Sequence, residues 1–126
     1  MGKRISLADL RPVLSEHASF ALCSHSRPDG DAIGSVVALK AILQAMGKKV
    51  VVLNEDGVPD NLRFMKGWED VVVSDGTPVE AEVFIALDTA NKARLGARCL
   101  AAGAEVPLWV NIDHHVSNEE YGDLVY

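Results

Sequence analysis

The stretch Phe20-Ala21-Leu22-Cys23-Ser24-His25-Ser26-Arg27-Pro28-Asp29-Gly30-Asp31-Ala32-Ile33-Gly34-Ser35 decides how the chain is read. It opens on a short apolar run, passes through a polar turn and leads into the apolar repeat of residues 32–46. A brief apolar run bounded by turn residues reads as a buried strand, whereas Ile33, Val36, Val37, Leu39, Ile42 and Leu43 recur at helical spacing. The unit is therefore strand, polar loop, helix. Gly47 follows as the residue that closes the helix.

The same alternation continues on both sides. Residues 6–17 read as a helix, with Ser6 and Asp9 as its capping box and Leu7, Leu10, Val13 and Leu14 as its apolar stripe. Residues 50–53, 71–73, 83–87 and 108–112 read as further strands. A short helix is expected over 59–65 and a long one over 89–102, ended by Gly103. Continuously apolar strands separated by helices imply an α/β fold, a doubly wound five-stranded parallel sheet with helices on both faces. Its crossovers are expected to be right-handed. No internal repeat or low-complexity tract interrupts the chain.

Composition narrows the function. The net charge of −6 argues against binding long duplex nucleic acid, which needs a basic stripe. It leaves room for a small anionic substrate held by bound cations, which invert the local field. Cys23 and Cys99 lack metal-ligand spacing and read as small buried hydrophobes, suited to a reduced compartment. No apolar run approaches the roughly 20 residues of a membrane span, and none follows the basic start as a signal peptide would. The expectation is a cytoplasmic protein that does not enter a membrane.

Three strands end in polar clusters. His25, Asp29 and Asp31 follow the first, Asp88 the fourth, and Asp113-His114-His115 the fifth. An open parallel sheet binds ligands beyond the carboxyl ends of its strands, so the fold would gather these clusters at one edge. Taken singly, Asp31 reads equally well as a helix cap, and Asp88 reads better as one. A cap needs one side chain, however, and does not account for the set. Carboxylates crowded together would repel and raise each other's pKa, and divalent cations would remove that repulsion. Carboxylates with imidazoles and no thiolate suit Mn2+, with Zn2+, Co2+ or iron less distinctively; Mg2+ prefers oxygen alone. The number of donors suggests two ions, the arrangement that clamps a phosphoryl group.

The strings Arg27-Pro28-Asp29-Gly30-Asp31-Ala32-Ile33-Gly34-Ser35 and Asp113-His114-His115-Val116-Ser117-Asn118, with Asp88 between them, resemble the motifs of the DHH superfamily of phosphoesterases. They are most similar to its bacterial nanoRNase and pAp-phosphatase branch, and less similar to RecJ-like exonucleases and cyclic-dinucleotide phosphodiesterases. The resemblance implies that His25 and Asp29 hold one manganese ion, Asp31 and His114 the other, and that Asp88 bridges them. It implies that His115 contacts the scissile phosphate and that Asp113 orients a histidine or is itself a ligand. Arg94 and Asn118 are candidate substrate contacts, and Ser35 lies where the second helix approaches the site.

The implied reaction is metal-dependent hydrolysis of a short oligoribonucleotide or of 3′-phosphoadenosine 5′-phosphate. The family pattern continues with a fourth motif and a C-terminal substrate-binding domain. Residues 1–126 are thus expected to be the N-terminal part of a DHH domain, with Asp123 only a loop residue. A metal- or nucleotide-binding module without turnover is the alternative. A receiver-like domain would not need the histidines, and no G-x-G-x-x-G supports dinucleotide binding. Open sheet edges make a homodimer a further expectation.

Overall fold

The computed structural model describes residues 2–126. The strands are β1 (Lys3–Arg4), β2 (Ser19–Cys23), β3 (Lys49–Asn54), β4 (Val71–Val73), β5 (Val83–Leu87), β6 (Leu108–Ile112) and β7 (Leu124–Val125). The helices are α1 (Leu7–Glu16), α2 (Gly30–Ala45) and α3 (Ala97–Gly103). The strands form one sheet in the order β1-β7-β6-β5-β2-β3-β4, every neighbouring pair parallel.

Side chains alternate across each strand, and both faces are apolar because both are covered. Phe20 and Leu22 of β2 join Val36 and Leu43 of α2 and Leu10 of α1 on one face. Ala21 and Cys23 join Leu95, Cys99 and Ala102 on the other, beneath α3. Each such large side chain, fully buried, contributes on the order of 1.5–3 kcal/mol. A third cluster of Ile33, Val58 and Leu62 seats residues 58–68 on the start of α2. The crossovers through α1 and α2 run across the sheet in one direction on one face. The crossover through α3 runs in the opposite direction on the other face, so all three share one hand.

The sheet has seven strands, not five. The five expected strands are present as the block β6-β5-β2-β3-β4, and β7 and β1 extend it beyond β6. Both additions are two residues long, too short to show periodicity. The expected helix over 89–102 is broken. Lys92–Leu95 forms a 3₁₀ turn started by the Asn91 side chain, and Gly96, at φ 96° and ψ 151°, resets the backbone before α3. The helix expected over 59–65 reduces to the 3₁₀ turn Asp60–Leu62.

Two expected core residues are exposed, Leu7 and Ile42. Ile42 precedes Leu43 by one residue, about 100° around the helix and off the buried stripe. Cys23 and Cys99 are buried free thiols, as read. No helix of the described residues is long and apolar enough to cross a membrane.

Local signals hold where short-range chemistry sets them. Ser6 and Asp9 form the reciprocal capping box of α1. Gly47, at φ 80°, ends α2: its amide donates to Gln44 O and the Lys48 amide to Leu43 O, the Schellman pattern. The start of α3 is capped from a distance. Gly96 offers no side chain, and Oε1 of Glu55, in the loop after β3, accepts from the amides of Arg98 and Cys99 at 3.0 and 3.1 Å. Its Oε2 accepts from Arg98 Nε at 2.9 Å.

Partial burial pushes the Glu55 carboxyl up, but the Arg98 hydrogen bond and the Cys99 amide outweigh it and hold its pKa below the usual value. The folded pKa is thus below the unfolded one. The stabilisation is present above about pH 4.3, the unfolded carboxylate value, and is lost as pH falls through the folded pKa. Glu55→Ala is expected to lower unfolding free energy by about 1 kcal/mol in urea titrations at neutral pH, the usual scale for a lost helix cap. The difference from the parent should shrink below pH 4.

Candidate metal centre

The strand order reverses between β2 and β5. From β2 the chain proceeds outward to β3 and β4, then returns to lay β5 on the other side of β2 and continues to β6. Loops leaving β2 and β5 diverge there and open a crevice at the carboxyl end of the sheet. The three polar clusters meet at this edge.

The loop after β2 carries His25 and Asp29. It is pinned by Asn54 at the end of β3, whose side-chain N–H groups donate to Ser24 Oγ (3.2 Å) and His25 O (3.0 Å). Arg27 adopts φ 50°, and its amide donates to Asp56 Oδ2 at 2.7 Å. Asp29, not Asp31, is the N-cap of α2, its Oδ1 accepting from the Ala32 amide at 2.9 Å. Asp31 stands in the first helical turn.

His25 is 9% exposed. Its Nδ1 lies 2.7 Å from Ser26 O, a carbonyl that can only accept, so Nδ1 carries the proton. That leaves the Nε2 lone pair facing Asp29 Oδ1 at 3.7 Å and Asp88 Oδ2 at 3.8 Å. Three electron-pair donors that face one another beyond hydrogen-bond reach fit a shared cation.

Asp88 is the centre of the arrangement. It is 7% exposed and holds φ 55°, in the left-handed region that few non-glycine residues adopt. Its amide donates to Ile112 O at 3.0 Å, which ties the end of β5 to the end of β6. Its Oδ1 lies 2.9 Å from His114 Nε2 and 4.0 Å from His115 Nδ1. Two groups of potential ligands, each within 4.8 Å of one another, share this residue. One is His25, Asp29 and Asp88; the other is Asp88, Asp113, His114 and His115.

Within the second group Asp113 is already engaged. Its Oδ1 accepts from His115 Nδ1 at 2.6 Å and its Oδ2 from Asn118 Nδ2 at 2.7 Å. Burial pushes this carboxyl up, but the hydrogen bonds from Asn118 and His115 outweigh it and hold its pKa below the usual range. That is opposite to the rise expected from crowding. The hydrogen bond and charge of Asp113 hold the His115 imidazole above its ordinary pKa.

The remaining candidates fall as follows. Arg94, on the 3₁₀ turn, lines a cavity of about 630 Å³ with His25, Asp29, Asp88 and His115, and its carbonyl accepts from the Ser26 amide at 2.7 Å. Asp31 and Ser35 line a neighbouring cavity of about 400 Å³ with Asp88 and His114, but Asp31 is in neither ligand group. The Asn118 amide is spent on protein, donating to Asn111 Oδ1 and Asp113 and accepting from the Glu120 amide. A cavity of about 680 Å³ against α3 and Trp109 lies apart from these groups. Asp123 accepts from the Trp109 amide at the start of β6, at the far end of the strand from Asp113.

Sequence reading passed over Asn54 and Asn111, both fully buried. Their signal was a polar residue within or ending an apolar strand, where asparagine is disfavoured.

Comparison with known proteins identifies the family. Residues 19–125 match the model of the DHH family, N-terminal domain. The chain is 30% identical over 118 residues to the bifunctional oligoribonuclease and PAP phosphatase NrnA of Bacillus subtilis, covering 94% of this chain and 36% of that protein. It is 37% identical over 108 residues to the protein of the same name from Thermus thermophilus, covering 82% of this chain and 30% of the other. Among solved structures, an exopolyphosphatase-related protein from Bacteroides fragilis superposes with a TM-score of 0.82 at 29% identity, covering 94% of this chain and 37% of that one. The chain thus spans about a third of the length of these relatives.

If the two groups hold cations, added Mn2+ will raise the melting temperature, since a ligand that binds only the folded state stabilises it. Asp88→Ala, which removes the residue common to both groups, should abolish the rise. An unchanged Mn2+ response in a folded Asp88→Ala protein would contradict the shared position.

Proposed function

The chain belongs to the DHH family as its N-terminal domain, and from that premise we propose that it forms the metal-binding part of a manganese-dependent phosphoesterase. The substrates in this reading are short oligoribonucleotides and 3′-phosphoadenosine 5′-phosphate. The observation that carries it is the pair of ligand groups that share Asp88 at the crevice between β2 and β5. The oligoribonuclease and PAP phosphatase relatives from Bacillus subtilis and Thermus thermophilus support the substrate class.

The residue roles in this reading are those the family resemblance implies. His25 and Asp29 hold one ion, Asp31 and His114 the other, and Asp88 serves both. Mixed imidazole and carboxylate donors favour Mn2+ over Mg2+, with Co2+ and Zn2+ as substitutes. When bound, such a pair supplies Lewis acidity and lowers the pKa of water. His115, held through Nδ1 by Asp113 and with its pKa raised by that carboxylate, takes a second proton at Nε2 and donates a hydrogen bond from it to a phosphoryl oxygen, stabilising the charge that develops there. Arg94 opens on the cavity beside His25 and is suited to a substrate phosphate. Asn118 acts on Asp113 rather than on substrate. Ser35 borders the cavity beside Asp31.

A metal- or nucleotide-binding module without turnover is the second reading. What favours it is the place of Asp31, which is outside both ligand groups although one ion needs it.

Incubation with Mn2+ should release phosphate from 3′-phosphoadenosine 5′-phosphate or mononucleotides from a short RNA. His115→Ala should slow turnover roughly 10²–10³-fold, the scale for losing one transition-state donor, with Mn2+ binding retained. A parent protein that binds Mn2+ and releases nothing would sink the enzyme reading for this chain and leave the second.

A further inference from the structure

We infer that Asn111 and Asn118 are positioning residues, which set the ring orientation and tautomer of His115 and tie it to the backbone that carries Asp88. The catalytic consequence rests on the phosphoesterase reading; the positioning itself does not.

Asn111 lies between Val110 and Ile112 of β6 and is fully buried. A primary amide removed from water is costly unless its groups are paired. Here its Nδ2 lies 3.3 Å from each of Ala86 O, Thr89 O and Tyr121 Oη. Tyr121 Oη itself donates to Thr89 O at 2.7 Å. Ala86 and Thr89 bracket Asp88, so this one side chain holds both flanks of its left-handed turn.

Donor and acceptor directions then propagate without choice. Backbone carbonyls only accept, so the Asn111 NH2 must face Ala86 and Thr89, and Oδ1 faces away. Asn118 Nδ2 lies 2.7 Å from that Oδ1, so the Asn118 NH2 points towards it. Its second N–H reaches Asp113 Oδ2 at 2.7 Å, and its own Oδ1 accepts from the Glu120 amide at 2.6 Å. With one oxygen of Asp113 held, the other faces His115 Nδ1 at 2.6 Å. The proton of His115 therefore sits on Nδ1, and Nε2 is left bare. Three side chains in series, Asn111, Asn118 and Asp113, connect the turn that presents Asp88 to the ring of His115. Both reach the same crevice from different strands, and this relay sets their relative placement.

Long-range 1H–15N NMR of the four histidines reads the tautomers directly. In metal-free protein, at a pH taken high enough that the His115 ring has lost its second proton, His115 should be a single Nδ1-protonated tautomer. In Asn118→Ala and in Asn111→Ala it should move to the mixed population of the urea-unfolded chain. His25, whose Nδ1 faces Ser26 O independently, should stay fixed in both and serves as the internal control.

A folded Asn118→Ala protein with an unchanged His115 signal overturns the inference. This variant decides the matter if Asn111→Ala does not fold, because Asn118 is in a surface loop. A parent protein that binds no Mn2+ yet keeps the fixed tautomer supports the inference and contradicts the phosphoesterase reading.

Discussion

A carboxylate taken out of water must find cations or donors, and Asp88 is buried in a left-handed turn with three imidazoles converging on it. His25 comes from the loop after β2, and His114 and His115 come from the loop after β6. Asp88 is the point through which the two ligand groups are joined, and the turn that presents it costs backbone strain the surrounding hydrogen bonds must hold. The sheet supplies the frame. Because β5 lies between β2 and β6, a residue leaving β5 is adjacent to loops from both neighbours.

A layer of buried polar side chains translates that frame into positions. Asn54 closes the loop after β3 and at the same time grips the loop that carries His25. Asn111 does the equivalent for the turn of Asp88. Among the described residues no buried side-chain nitrogen or oxygen lacks a partner. Fully paired networks of this kind rigidify a site, whereas a partly paired one would cost stability. Glu55 extends the layer to the other face by capping α3, whose residues Cys99 and Ala102 cover β2.

Much of this was legible in the sequence, for physical reasons that differ by element. The five central strands are mostly apolar, with Asn54 and Asn111 as buried polar interruptions, and β2 and β5 are covered on both faces; that composition is unmistakable. The capping box of Ser6 and Asp9 and the stop at Gly47 depend on neighbours within four residues, so the sequence carries them whole. The edge strand β1 pairs only with β7, from the far end of the chain, and Lys3 and Arg4 show no local preference. The break before α3 turned on Gly96, which an apolar period of helical spacing concealed. At the site, the residue types and their convergence at one edge were readable from motif and topology. The division of labour was less so: Asp29 rather than Asp31 caps α2, and Asn118 serves Asp113. Those outcomes depend on rotamers and on long-range partners such as Asn111.

Cations shared through Asp88 are the central proposal. Diffraction from crystals grown with Mn2+, recorded near the manganese absorption edge, tests this directly. Two anomalous peaks are expected in the crevice between β2 and β5, one among His25, Asp29 and Asp88 and the other beside Asp88, Asp31 and His114. Anomalous density absent from that crevice, or lying against other residues with Asp88 untouched, would contradict it.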